Sequence, residues 1–94
     1  MAYSLKIDRK LAGKFKKLER KDRKQLDEIN KKVEQILENP HHFEHVEEVK
    51  HNMHRVHIDN SFVLIYSVDE AKNLVTLHEY DHHDNIYLHP HIDK

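Results

Sequence analysis

An α+β fold is predicted for this 94-residue chain by three observations. Apolar residues recur at helical spacing through most of the first forty positions, and the period turns strand-like after Pro40. The segment "FVLIYSV" at 62–68 is apolar on both faces, as a strand at the centre of a covered sheet must be. Together they predict one domain over 1–94. An N-terminal strand and a helical hairpin pack on one face of a mostly antiparallel sheet of four to five strands.

Each element follows from its own pattern. Tyr3, Leu5 and Ile7 alternate with polar or small residues, giving a strand with one buried face. Asp8 fits a helix N-cap, and Leu11, Phe15 and Leu18 then form the apolar stripe of a short helix ending near Glu19. Asp22 caps a second helix, in which Leu26, Ile29, Val33, Ile36 and Leu37 line one face until Asn39-Pro40 stops it. The link "ERKD" is short enough to force an antiparallel hairpin. "FEHVEEV" is a weak strand candidate around Val46. "MHRVHID" sets Val56 and Ile58 on one face and Arg55 and His57 on the other, and "DNS" at 59–61 supplies turn residues. The central strand 62–68 is followed by the turn "DEAKN" and a last strand, "LVTLHEY". With both helices on one face, the other face carries Arg55 and His57 and is expected to be free for a ligand.

Composition narrows the function classes. There is no cysteine, which excludes disulfides and thiolate metal sites and fits a reducing, cytoplasmic setting. No apolar run is long enough to span a bilayer, so no membrane role is expected. The near-neutral total charge hides an asymmetry. Up to Pro40 there are twelve Lys and Arg against seven Asp and Glu, and from His41 onward four against ten. All eleven histidines lie in the second part. The basic half suits a polyanion, or is simply the solvated face of two helices.

The stretch "YDHHDNIY" at 80–87 holds the densest chemistry. His78, Asp81, His82, His83 and Asp84 offer ligand types suited to zinc or nickel. Their spacing matches no zinc pattern, however, and adjacent histidines on an extended strand point to opposite faces. Only adventitious metal binding is expected, and no cofactor. Histidine also suits acid–base work near neutral pH, with an aspartate such as Asp81 or Asp84 to orient a ring. In a chain so rich in histidine, exposed strand histidines are equally ordinary surface residues.

The helix pair "KKL…D…I.KKVEQILENP", the segment "HRVHIDNSFVLIYSVDE" and the terminal "HHDNIY", in this order and spacing, resemble the RelE/ParE superfamily of small toxins from toxin–antitoxin pairs. The likeness covers nearly the whole chain and is strongest to the YafQ-like branch of mRNA interferases. It implies a type II toxin: a metal-independent endoribonuclease that cuts mRNA at the ribosomal A site and is silenced by a cognate antitoxin. The implied partners are therefore antitoxin, mRNA and ribosome.

The resemblance places His57 and His83 at catalytic histidine positions. Arg55, two residues before His57, has the planar fork that suits a phosphate. Tyr87 stands in the place of a functional aromatic and Phe62 in that of a tryptophan, so both are expected at the substrate. Ser61 occupies the place of a catalytic aspartate, and Val63 that of an arginine found in many relatives. His45 corresponds to a further histidine of the branch, and His82, Asp81 and Asp84 are additional candidates. Two other readings stay open: a weakened relative that only binds antitoxin or RNA, and a ParE-type inhibitor of DNA gyrase.

Overall fold

A computed structural model of the chain describes residues 3–45, 53–82 and 84–85. The element order is β1 (Ser4–Ile7), α1 (Arg9–Lys21), α2 (Arg23–Glu38), β2 (Glu44–His45), β3 (Met53–Ile58), β4 (Phe62–Asp69) and β5 (Leu74–His82). The strands form one sheet in the order β1-β5-β4-β3-β2. The "FVLIYSV" segment is thus its central strand, as its two apolar faces require. Among the described strands only β1 runs parallel to its neighbour, paired along the first half of β5 from Ser4↔Leu74 to Ile7↔Leu77. Within the weak strand candidate, Glu44 and His45 pair with Arg55 and His54. Val46 lies outside the described residues.

The helices form because their caps and stripes agree. The Asp8 carboxylate accepts from the backbone N–H groups of Lys10 and Leu11 at 3.1 and 3.4 Å, which satisfies two donors of the first turn. Helix α1 runs two residues past the expected Glu19. A single residue, Asp22, then separates the helices. Its backbone N–H donates to Leu18 O at 2.8 Å, closing α1. Its side chain accepts from Gln25 N at 3.1 Å, opening α2. One residue therefore serves the whole hairpin corner, its backbone closing α1 and its side chain opening α2. Asp22→Ala is expected to lower stability by about 1 kcal/mol, read as a shift of the urea midpoint; an unchanged midpoint would deny the cap its role.

The core lies between the helices and one sheet face. Leu11, Ile29, Val33 and Ile36 are buried against Val56, Ile58, Leu64, Tyr66, Val68, Val75, Leu77 and Tyr80. Phe15, Leu18 and Leu26 are half-buried and pack against this cluster. Two phenols bridge the layers. Tyr66 donates to Pro40 O at 2.7 Å, and Tyr80 to Gln25 Oε1 at 2.8 Å. Burial pushes both phenols above their ordinary value; for Tyr80 the nearby Asp22, Asp59 and Asp81 add to the effect. The unfolded chain then gives up these protons first. Stability should be full below about pH 10, the ordinary tyrosine value, and fall as pH rises beyond it. Urea unfolding across that range should show the decline, and Tyr66→Phe should flatten it.

The turn at 59–61 has Asp59 and Asn60 at φ 54° and 64°, the left-handed region that these residue types tolerate. It joins β3 to β4 with Ile58 opposite Phe62. Between Ile65 and Tyr66 the register of β4 on β5 slips: Ile65 pairs with Glu79, but Tyr66 pairs with Leu77. His78 is the extra residue of a β-bulge, and side-chain alternation along β5 reverses there.

Candidate functional site

On β3, alternation sends Val56 and Ile58 to the helices and Arg55 and His57 to the opposite face, as expected. The register continues this face across the sheet. Arg55 lines up with Ile65 and Glu79, and His57 with Val63 and Asp81. Two neighbouring rows thus each pair a nitrogen side chain on β3 with a carboxylate on β5. By ordinary strand spacing their backbones stand roughly 10 Å apart across β4.

The face is less open than the sequence suggests. Met53, Val63 and Ile65 are buried on it, because apolar side chains on the second face of a central strand are withdrawn from water as well. Its accessible part is polar: His57 and His78 are exposed, and Arg55, Ser67, Glu79 and Asp81 are half-buried. The expectation of a wholly free face is corrected to this polar margin. Arg55 Nε and Glu79 Oε2 are buried atoms, so both groups are held close to the sheet. His57 makes no hydrogen bond or ion pair among the described residues.

Asp81 is held ionised. Its partial burial works against the charge, but hydrogen bonds from the Asn85 side chain (3.0 Å) and the His82 backbone N–H (2.7 Å), with Lys14 at 3.9 Å, outweigh it. The net effect holds the Asp81 carboxyl below its usual range.

Other expected site residues fall elsewhere. Phe62 lies on the helix face, not beside Arg55 and His57. It stacks on Tyr80 with ring centres 5.3 Å apart and planes 12° apart. Phe62 shares strand parity with Leu64 and Tyr66 and goes where they go, so the fold does not bring it together with Arg55 and His57. His82 lies on the same side, edge-on to Phe62 at 5.6 Å. Asp84 touches His82 through both backbone and carboxylate: its N–H donates to His82 Nδ1 at 3.2 Å, and its Oδ2 lies 3.7 Å from the same nitrogen. Ser61 is half-buried in the β3–β4 turn. His45 pairs with His54 at the sheet edge. His83 and Tyr87 lie outside the described residues. Among the described residues no cluster of three or more His, Asp or Glu side chains could hold a metal ion.

Sequence reasoning missed a contact on the accessible face. Ser67 Oγ and His78 Nε2 lie 2.7 Å apart. The bulge makes this contact, because it turns His78 and Glu79 to the same side of β5. A signal was present: Val75 and Leu77 alternate inward, yet the next inward residue is Tyr80, one position late.

A helical hairpin over one face of a small mixed sheet is the fold of solved RelE structures. The E. coli toxin RelE, in a mutant form bound to an antitoxin RelBc peptide, superposes with a TM-score of 0.69 at 22% identity, covering 94% of this chain and 93% of that one. The toxin of the intact E. coli RelBE toxin–antitoxin complex superposes at 0.63 and 24% identity, covering 86% and 96%. Two archaeal proteins are more similar in sequence. An uncharacterized protein of Methanosarcina mazei is 49% identical over 85 residues, covering 90% of this chain and 99% of its own. The putative toxin RelE4 of Methanocaldococcus jannaschii is 44% identical over 85 residues, covering 90% of each. The family model described as ParE toxin of type II toxin–antitoxin system, parDE, matches residues 4–87. The chain belongs to this family, and is a type II toxin of the RelE/ParE superfamily. No helix among the described residues is long and apolar enough to cross a membrane.

Proposed function

We propose that this toxin is a metal-independent endoribonuclease that cuts mRNA at the ribosomal A site in the cytoplasm and is held inactive by a cognate antitoxin. The observation that carries the reading is the exposed imidazole of His57, without a hydrogen bond or ion pair among the described residues, on the sheet face away from the helices and two residues from Arg55. An imidazole there is available to a substrate rather than to the fold. The complexes of E. coli RelE and RelBE with antitoxin RelB support the antitoxin as partner.

The chemistry needs no metal. The 2′-hydroxyl of the RNA attacks the adjacent phosphorus, the bond from phosphorus to the 5′-oxygen breaks, and a 2′,3′-cyclic phosphate and a 5′-hydroxyl result. One group takes the 2′-hydroxyl proton and another protonates the departing 5′-oxygen. His57 and His83 are assigned these two roles, and Arg55 the charge that develops on the pentavalent phosphorus. Tyr87 is assigned to stacking on a base or donating to a phosphate.

Cleavage should persist in EDTA and leave a 2′,3′-cyclic end, read by end-labelling of the products. Activity abolished by EDTA and restored by one particular metal would replace this mechanism with a metal-assisted one. One observation favours a second reading, a toxin that binds without cutting. Glu79 and Asp81 give the accessible face two carboxylates, which oppose a phosphate unless histidines are protonated beside them.

A further inference from the structure

The exposed surface changes character where β1 ends. Strand β1 stops at Ile7, opposite Leu77, while β5 continues to His82. Beyond that point helix α1 lies beside the outer edge of β5 in place of a strand. A cavity of about 310 Å³ opens there, lined by Asp8, Lys10, Leu11 and Lys14 from α1 and by His78, Glu79 and Tyr80 from β5. Lys10 and Lys14 are four residues apart and so share one face of the helix. Lys14 donates to Tyr80 O at 2.6 Å, doing for this carbonyl what a neighbouring strand would do.

His78 joins this cavity to the face that carries His57 and Arg55. As the extra residue of the bulge, it turns toward Ser67 on that face. It is also one wall of the cavity beside α1. We propose that the groove between α1 and the bulged edge of β5 is a second RNA phosphate subsite, with Lys10, Lys14 and His78 as its ligands. It takes the strand that leaves the cleavage face. The inference rests on the endoribonuclease reading.

The charges around the groove are compatible with this use. The Asp8 carboxylate is occupied by the N–H groups of Lys10 and Leu11. Asp81 is neutralised in part by Lys14. Glu79 is the carboxylate that opposes a phosphate here, and one oxygen of it is buried. Against these stand the ammonium groups of Lys10 and of Lys14, which is shared with Asp81, and the His78 imidazole. Arg55, in line with Glu79, continues the cationic path toward His57.

The test uses the full-length toxin on ribosomes programmed with one of two mRNAs, both with a 2′-O-methyl group at the scissile position. One is truncated at the A-site codon and the other extends several nucleotides further. Contacts to the ribosome itself are the same in both. Wild type should bind the extended mRNA complex more tightly. The double variant Lys10→Gln, His78→Gln should lose that advantage and match wild type on the truncated one. Its salt slope on the extended complex should fall by about 0.7 for each phosphate contact removed. Both positions are exposed, and circular dichroism should show an unchanged fold. If the double variant keeps the advantage and the slope, the subsite does not exist and the endoribonuclease reading stands. If wild type neither binds programmed ribosomes nor cuts unmodified mRNA, both proposals fall together.

Discussion

His57→Ala should lower mRNA cleavage by about 10²–10⁴-fold, the scale for removing a positioned general acid or base. The effect should fall on the chemical step, because the side chain is exposed and has no partner among the described residues whose loss would disturb the fold. The same exposure limits the stability change to within about 0.5 kcal/mol. Chemical unfolding of the variant checks that limit independently. His83→Ala should cost a similar factor, and Arg55→Ala the same or less, since another donor can partly replace a guanidinium on the phosphorus. Arg55 is half-buried, so its variant needs the same unfolding control. The wild-type rate should rise and then fall with pH, reporting the coupled pair of histidines rather than either one alone. A His57→Ala enzyme with wild-type kcat and KM would remove this side chain from the site.

Ile29→Ala should destabilise the chain by about 2–5 kcal/mol, a large share of what a domain of this size has. Ile29 has no exposed surface and sits in the middle of the α2 stripe, in the cluster that includes Leu11, Val33 and Ile36. Truncation there leaves a cavity between helix and sheet that neither layer can close alone. Leu26 is only half-buried, so Leu26→Ala should cost less than Ile29→Ala. Urea denaturation of the two variants gives the comparison directly. Equal and small losses would mean that α2 is not anchored to the sheet through this stripe.

The helical hairpin and the central strand were legible because local pattern and tertiary role coincide in them. The Leu26–Ile36 stripe has a single burial solution, and a strand apolar on both faces belongs in the middle of a sheet. The partner of β1 was not legible. Its pairing with β5 is parallel and joins residues seventy positions apart, and alternation in Tyr3, Leu5 and Ile7 carries no information about which strand lies alongside.

The same division runs through the site. Arg55 and His57 were placed on the correct face by alternation within β3. Phe62 was assigned to the substrate by resemblance, while its parity with Leu64 and Tyr66 pointed to the helices, and parity set its face. The contact between Ser67 and His78 was overlooked because a bulge changes the rule on which parity rests. The late inward return at Tyr80 is its only trace in the sequence. Val63 and Ile65 show the remaining difficulty. Their apolar character was read as centrality in the sheet, but it also closes part of the face that a ligand was expected to use.

The central claim is that this toxin cuts mRNA through a pair of histidines, and one measurement bears on it most directly. Wild type and the His57→Ala, His83→Ala double variant are added at equal concentration to ribosomes translating a defined mRNA, and the mRNA ends are mapped. The account predicts cuts at the A-site codon with 2′,3′-cyclic ends for wild type, and none above background for the double variant. A wild type that leaves the mRNA intact, or a double variant that cuts it equally well, would contradict it.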